Sequence, residues 1–322
     1  MPEKIEPLVF ISKCLGFASC RYNGITINSD PVSGLRQFAK VITSCPEVEI
    51  GLGVPRDPIR IVNENGERIL YQPATQKKIT REMETYTEEY IASLPEIDGI
   101  ILKSRSPSCG FKDVKIYNSL ENPSQPGKGP GFFGGRMSEV FPGHPLEDEG
   151  RLNNFTIREH FFTSLWALAW FRKVKKENNF QALLEYHTKN KLLFMGYSQS
   201  KLRVLGNIVA THKKRDFYEL ISEYESVLRS LFEEPPNFSS IVNVLHHAFG
   251  GVSDNLNSDE KQFFLNTAEE YRDERVPLST VLHLLQSWAI RFEDDWLKDQ
   301  SFLHPYPKEL MSITDSGKGR NY

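Results

Sequence analysis

Ile97-Asp98-Gly99-Ile100-Ile101-Leu102-Lys103 is a short β-branched apolar run that leads within a few residues into Ser106-Pro107-Ser108-Cys109-Gly110. A run of that length, bounded by turn formers, reads as a buried strand that empties into a loop. Leu8-Val9-Phe10-Ile11 has the same character and ends at Ser12-Lys13-Cys14. Residues 31–41 read as a helix with proline near its start, and 80–94 as a helix whose apolar stripe is Met83, Tyr86, Tyr90 and Ile91. Ile59-Arg60-Ile61-Val62 and Arg68-Ile69-Leu70-Tyr71, separated by five polar or small residues, read as a hairpin. Strands alternating with helices predict an α/β layer domain with a largely parallel sheet.

Downstream the pattern changes. Gly127-Lys128-Gly129-Pro130-Gly131-Phe132-Phe133-Gly134-Gly135-Arg136 resembles an anion-binding loop entering a helix over 136–140, although no Gly-Lys-Ser/Thr follows it. From Phe155 onward the periodicity is helical throughout, broken at Glu234-Pro235-Pro236 and at Val276-Pro277. The expected organisation is an α/β domain over 1–149 and an all-helical domain over 150–322.

Composition narrows the function. The 322 residues, 39% hydrophobic and 25% charged with 21 Phe and 12 Tyr, exclude a chain that is disordered throughout, because those rings must pack. There is no apolar run long enough to span a bilayer. MPEKIEPLVF lacks the basic and apolar regions of a secretory signal, so a cytoplasmic location is expected. In a reducing compartment Cys14, Cys20, Cys45 and Cys109 are candidates for metal or catalytic work rather than disulfides.

The near-neutral total charge conceals a field. Residues 151–215 carry 13 Lys/Arg against 3 Asp/Glu, whereas 216–322 carry 9 against 19. Either the two segments neutralise each other in the fold or the first offers a polyanion-binding face. Candidates for RNA contact on that face are Arg158, Lys173, Lys175, Lys176, Lys201, Arg203, Lys213, Lys214 and Arg215. Trp166, Trp170, Phe171, Tyr186 and Tyr197 are interleaved with them, as stacking platforms or as ordinary core. His160, His187 and His212 have no local metal spacing and read as packing more readily than as contacts to phosphate or base.

Loops that leave the carboxyl ends of parallel strands gather on one edge of the sheet. Cys14, Cys45 and Cys109 each follow an apolar run and stand among small or turn-forming residues, so three thiols could meet at one rim. Small buried core cysteines are the plainer alternative.

Four motifs then carry a resemblance. Cys14-Leu15-Gly16 with Cys20-Arg21-Tyr22-Asn23-Gly24, Cys45-Pro46-Glu47-Val48 with Gly51-Leu52-Gly53-Val54-Pro55-Arg56, Leu102-Lys103 with Ser106-Pro107-Ser108-Cys109-Gly110, and the altered Gly129-Pro130-Gly131-Phe132-Phe133 are similar, in order, to the thiouracil desulfidase family. The helical remainder resembles the domain fused behind it in tRNA 4-thiouridine desulfidases. The resemblance implies a [4Fe–4S] cluster held by Cys14, Cys45 and Cys109, with one iron open to the thiocarbonyl sulfur of 4-thiouridine. Glu47 would activate water for attack at C4, releasing uridine and sulfide without external electrons. Ser106 and Ser108 would donate to the departing sulfur or the cluster, or merely cap a turn; Lys103 would steady negative charge, or be a solvated strand end. Cys20 is expected to be structural, with a fourth ligand or a sulfur acceptor as alternatives. Thiolated tRNA is the expected substrate. The rivals are a small-molecule thiouracil desulfidase and a non-catalytic, metal-bearing RNA-binding module with all four thiols on one closed metal.

Overall fold

The computed structural model describes residues 5–120 and 127–312, with the side chain of Lys214 outside that description. The chain divides into two compact units, one built on Glu6–Leu165 and the other on Trp166–Lys308.

The first unit is α/β. Its first sheet contains β1 (Leu8–Ser12), β2 (Lys40–Ser44), β6 (Gly99–Leu102) and β9 (Leu146–Asp148) in the order β2-β1-β6-β9, every pairing parallel. Val9, Phe10, Ile11, Ile100, Ile101 and Leu102 are fully enclosed, as the central strands of a sheet covered on both faces must be. The second sheet contains β3 (Arg60–Glu64), β4 (Glu67–Gln72), β5 (Lys77–Lys78), β7 (Val114–Tyr117) and β8 (Gly127–Gly129) in the order β5-β4-β3-β7-β8. The expected hairpin is β3 and β4, closed by Asn65 and Gly66, both at positive φ, which is the backbone a two-residue turn requires. Only the β3–β7 pairing in this sheet is parallel. Its short strands β5, β7 and β8 give too little alternation to be read from sequence.

Four helices pack on these sheets: α1 (Asp30–Leu35), α2 (Pro46–Glu49), α3 (Thr80–Ser93) and α4 (Phe132–Val140). The buried faces of α3 and α4 join Phe10, Ile61, Leu70, Met83, Ile91, Phe133 and Met137 in one apolar cluster. The glycine-rich stretch departs from expectation. It forms β8 and then α4, which starts at Phe132 rather than at residue 136. The first free N–H groups of α4 are already used: those of Gly131, Phe132 and Gly134 donate to the carbonyls of Gly110, Pro107 and Ser108, at 2.6, 3.1 and 2.9 Å. A helix end with three of its leading donors bound to a protein loop is committed to that loop rather than to a phosphate, so the anion-binding reading is set aside.

From Phe155 on, the described chain is helical: α5 (Phe155–Glu177), α6 (Phe180–Lys189), α7 (Lys191–Tyr197), α8 (Gln199–Ala210), α9 (Phe217–Leu231), α10 (Phe238–Val252), α11 (Ser258–Arg272), α12 (Leu278–Arg291) and α13 (Asp295–Lys298). Asn179, Ser198, Asp216, Asn237, Asn257 and Asp294 accept from first-turn N–H groups, so sequence-local capping sets most of these starts. The Trp166–Lys308 unit has a core of its own, in which Phe171, Tyr186, Phe194, Tyr224, Phe264 and Trp288 are buried.

Candidate active site

The parallel sheet explains where the chemistry gathers. β1, β2, β6 and β9 all end on one edge, and the residues that follow them are Cys14, Cys45, the 103–109 loop and the 148–151 turn. The chain leaves β1 toward β2 on one side and returns to β6 on the other, so the crevice beside β1 lies at the reversal of strand order, where open α/β sheets bind ligands. A cleft of about 750 Å³ opens there, lined by Cys14, Cys20, Cys45, Cys109, Glu47, Arg56, Ser106 and Lys103 among others.

All four cysteines are buried, reduced thiols. The Cys45 thiol donates to the Cys20 carbonyl at 3.7 Å, and Cys20 contacts the thiols of both Cys14 and Cys45. Contact with Cys14, together with burial, pushes the Cys20 thiol up. The Cys45 thiol is pushed far up, by its contact with Cys20 and then by burial. Burial lifts Cys109 to about 12, with the charges of Cys45 and Glu47 adding to it. No group of three or more His, Cys, Asp or Glu among the described residues converges on a single metal ion.

Glu47 sits in the first turn of α2, two residues after Cys45 at its N-cap, and is buried. Two nitrogens of Arg56, Nε and Nη2, each lie 2.7 Å from its Oε2. The other oxygen, Oε1, accepts from Ser108 Oγ at 2.6 Å and from Ser106 Oγ at 3.4 Å. Ser108 is fully buried and also reaches Cys109 Sγ at 3.8 Å, while Ser106 Oγ accepts from the Cys109 backbone N–H at 3.1 Å. Ser106 therefore does both things considered for it: it caps the turn and faces the carboxylate. Arg56 Nη1 donates to the carbonyls of Cys20 (3.0 Å) and Gly53 (2.9 Å), fixing the guanidinium from behind.

Two site residues escaped the sequence reading. Arg56 stands in a motif that carried the resemblance, yet a single arginine nine positions from Glu47 gives no local sign of pairing. Glu149 is the second, reached only through β9. Lys103 is half-buried and not a solvated strand end: its Nζ donates to Glu149 Oε1 at 2.5 Å and to both oxygens of Ser104. Asp148 lines the cleft with Oδ1 held by the N–H groups of Gly150 and Arg151, and burial raises its carboxyl above the usual range.

The basic segment fares differently from the cysteines. Arg158 is buried and donates to the carbonyls of Leu152 and Ser312, so it is not available to a phosphate. Lys175 binds both oxygens of Glu225 (3.0 and 2.9 Å), Arg215 pairs with Glu223, and Lys189 pairs with Glu185 and Asp299. Lys173 pairs with Glu177, and Lys201 donates to the Ser230 carbonyl. Among the described residues, acidic residues of 216–322 thus pair with three of the 13 basic residues of 151–215, Lys175, Lys189 and Arg215, so the first of the two readings of that charge pattern is met in part. Lys176, Arg203 and Lys213 remain exposed. Trp166, Phe171 and Tyr186 belong to the core. His187 is packed against the Tyr224 hydroxyl, and burial lowers its pKa to about 4; His212 stacks on Phe180.

Residues 9–149 match the 2-thiouracil desulfurase family. The uncharacterized protein YbbK of Bacillus subtilis (strain 168) is 37% identical over 120 residues, which cover 34% of this chain and 77% of YbbK. This chain belongs to the 2-thiouracil desulfurase family. Residues 191–307 match a second family, of unknown function (DUF1722). The uncharacterized protein YbgA of Escherichia coli (strain K12) is 29% identical over 137 residues, 42% of this chain and 80% of YbgA. The solved structure of TudS, a [4Fe–4S]-dependent thiouracil desulfidase, aligns at 25% identity over 46% of this chain and 93% of its own, with a TM-score of 0.36. No helix among the described residues is long and apolar enough to cross a membrane.

Proposed function

We propose that this protein is an iron–sulfur desulfidase that exchanges the thiocarbonyl sulfur of a thiolated uracil for oxygen, acting on 4-thiouridine in tRNA in the cytoplasm. The observation that carries the reading is the gathering of four reduced thiols and a Glu47–Ser108 pair on one cleft at the carboxyl edge of the sheet. The donor set favours a cluster over a single ion. Its atoms are all soft sulfur, and among the described residues no three of them converge as a lone tetrahedral ion would require. Cys14, Cys45 and Cys109 would hold the cluster, with Cys20 supporting them through its thiol and its carbonyl. The Cys45 thiol, raised by its contact with Cys20 and by burial, and the Cys109 thiol, raised by burial, must release their protons as a cation binds, so loading and deprotonation are coupled.

When bound, a cluster with one iron free of protein ligands supplies a soft Lewis acid for the thiocarbonyl sulfur. The chain's own residues supply the rest. Glu47 Oε1 faces Ser108 and the cleft, where it takes a proton from water as that water adds to C4. Arg56 holds the other carboxylate oxygen, which leaves Oε1 as the working atom. Ser108, already hydrogen-bonded to Glu47 and within 3.8 Å of Cys109 Sγ, returns a proton to the leaving sulfur. The balance is thiocarbonyl plus water to carbonyl plus hydrogen sulfide, with no change in oxidation state. In this reading 1–149 is the desulfidase domain and 150–322 holds the RNA.

A second reading has a specific observation behind it. The ion pairs at Lys175, Lys189 and Arg215, with Arg158 buried, remove four cations from the basic face that RNA would need, which favours a free thiolated base as substrate. One experiment separates the two: anaerobically reconstituted protein is given thiolated tRNA and, separately, 4-thiouracil, and loss of the thiocarbonyl absorbance is followed beside a Cys109→Ala control. Loss on tRNA that is absent in the control is the expected result. Loss on the free base alone selects the second reading. Iron bound by all four cysteines with no turnover would overturn both.

A further inference from the structure

β1 and β2 deliver Cys14 and Cys45, and each strand closes on a serine. Ser12 and Ser44 are partners in the parallel register, so their side chains share one face of the sheet. Both are buried, at 1% and 2% exposure, and neither is among the residues that line the cleft. The positions before Ser12, Val9 to Ile11, show that β1 otherwise buries apolar side chains. A hydroxyl in such a place is tolerated when its hydrogen-bonding capacity is used.

The hydroxyl hydrogens can be assigned from the contacts. Ser44 Oγ is hydrogen-bonded to the Tyr86 hydroxyl of α3 at 2.5 Å. Burial pushes that phenol up, against the pull of Ser44, so it stays a neutral O–H group. The Tyr86 ring is itself fixed by stacking on Tyr90 at 5.4 Å and on Phe133 of α4 at 6.4 Å. Ser44 is therefore engaged with α3 and not with its register partner. Ser12 Oγ accepts the Lys103 backbone N–H at 3.0 Å, which leaves the Ser12 hydrogen to be given elsewhere. The thiol it meets is that of Cys109. Ser108 Oγ also reaches Cys109 Sγ, at 3.8 Å, but its single hydrogen is claimed by the Glu47 carboxylate at 2.6 Å. Ser12 is thus the hydroxyl committed to Cys109. Its contact favours the thiolate, opposing the burial that lifts this residue. Cys45 is met instead by the Val48 backbone and the Cys20 thiol.

We infer that Ser12 is a positioning residue for the cluster, donating its hydroxyl hydrogen to the Cys109 sulfur when that sulfur is bound to iron. A hydrogen bond to a ligating sulfur draws electron density from the ligand and favours the electron-rich, reduced cluster. The same withdrawal makes the open iron a stronger Lewis acid toward a thiocarbonyl sulfur. The inference rests on the desulfidase reading for the presence of the cluster. It adds a residue behind the cleft that touches neither substrate nor the attacking water.

The test reads the cluster without substrate. Anaerobically reconstituted full-length protein is titrated with dithionite in the presence of redox dyes, and the reduced cluster is followed by electron paramagnetic resonance. Ser12→Ala is expected to shift the reduction equilibrium about tenfold toward the oxidised cluster, which is 59 mV for a one-electron couple. Iron content and thermal midpoint should stay as in the unaltered protein. Threonine and valine share a shape and differ in the hydroxyl, so they separate donation from packing. Ser12→Thr should remain within about threefold of the unaltered equilibrium, and Ser12→Val should move with Ser12→Ala. A shift common to Ser12→Thr and Ser12→Val would overturn the inference, because crowding alone would account for it. An equilibrium unchanged in both Ser12→Ala and Ser12→Val would overturn it as well. Unaltered protein that loads no cluster would overturn the desulfidase reading and this inference with it, whereas a loaded cluster indifferent to Ser12 removes the inference alone.

Discussion

Arg56 touches Glu47 with two nitrogens and the carbonyls of Cys20 and Gly53 with the third. Such a guanidinium is a positioning residue: it reaches no substrate atom in the proposed reaction, but it fixes which carboxylate oxygen is exposed. Lysine keeps the charge and loses the planar fork that serves three acceptors at once. General-base catalysis contributes about 10²–10⁴-fold, so Arg56→Lys is expected to lower kcat by about tenfold to a hundredfold. Iron content and KM should stay within about twofold of the unaltered protein. Loss of iron, or a loss confined to KM, would show that the arginine serves the cluster or substrate binding instead. The cysteines and Glu47 were legible in the sequence because residue type and motif both pointed to them. Arg56 was not, since its meaning lies in a contact made only when the chain after α2 folds back over the cleft.

At the scale of elements, the parallel strands were legible from their apolar runs, and β3–β4 from its turn residues. The function of the glycine-rich stretch was not. Free N–H groups at a helix start suit a phosphate and a protein carbonyl equally well, and sequence does not say which comes near. In the fold they meet the 107–110 loop, and the glycines are small because that approach is close. A Cβ on Gly134 would lie 2.1 Å from the Cys109 carbonyl oxygen, and one on Gly131 would lie 2.6 Å from that of Ser108. Helix α4 therefore acts as the backing of the loop that carries both Ser108 and Cys109. Backbone cannot yield as a flexible side chain does, so Gly134→Ala must displace the loop, at a cost on the order of 1–3 kcal/mol. The expected outcome is a lower thermal midpoint and a several-fold drop in iron retained after reconstitution. Gly127→Ala, whose Cβ meets only the Ile116 carbonyl at 3.7 Å, should retain iron normally. Full iron content in Gly134→Ala would show that the loop tolerates the shift and that the clamp is not needed for the cluster.

On the scale of the whole molecule, the opposed charge blocks of the sequence were legible as a pattern, but their consequence depended on pairing that only the fold reveals. Glu225 shows why. Burial alone would raise its carboxyl, yet hydrogen bonds from Lys175 and Arg229 outweigh that and hold it below its usual range. A lysine committed in this way has no free charge to offer RNA. Each phosphate neutralised by a protein cation contributes about 0.7–0.9 to the slope of log K against log salt. If all 13 basic residues of 151–215 met phosphates, the slope for thiolated tRNA would have a magnitude of about 9–12. Counting only the exposed Lys176, Lys191, Arg203 and Lys213 from that block gives about 3–4. The measurement is equilibrium binding of tRNA by the intact protein over a range of potassium chloride concentrations. A slope near the smaller value is expected, and Arg203→Ala should reduce it by roughly one phosphate's contribution, about 0.7–0.9. A slope near the larger value would mean that the ion pairs to Glu223, Glu225 and Asp299 open when RNA binds. A slope near zero would remove tRNA from consideration and leave the free thiolated base as the substrate.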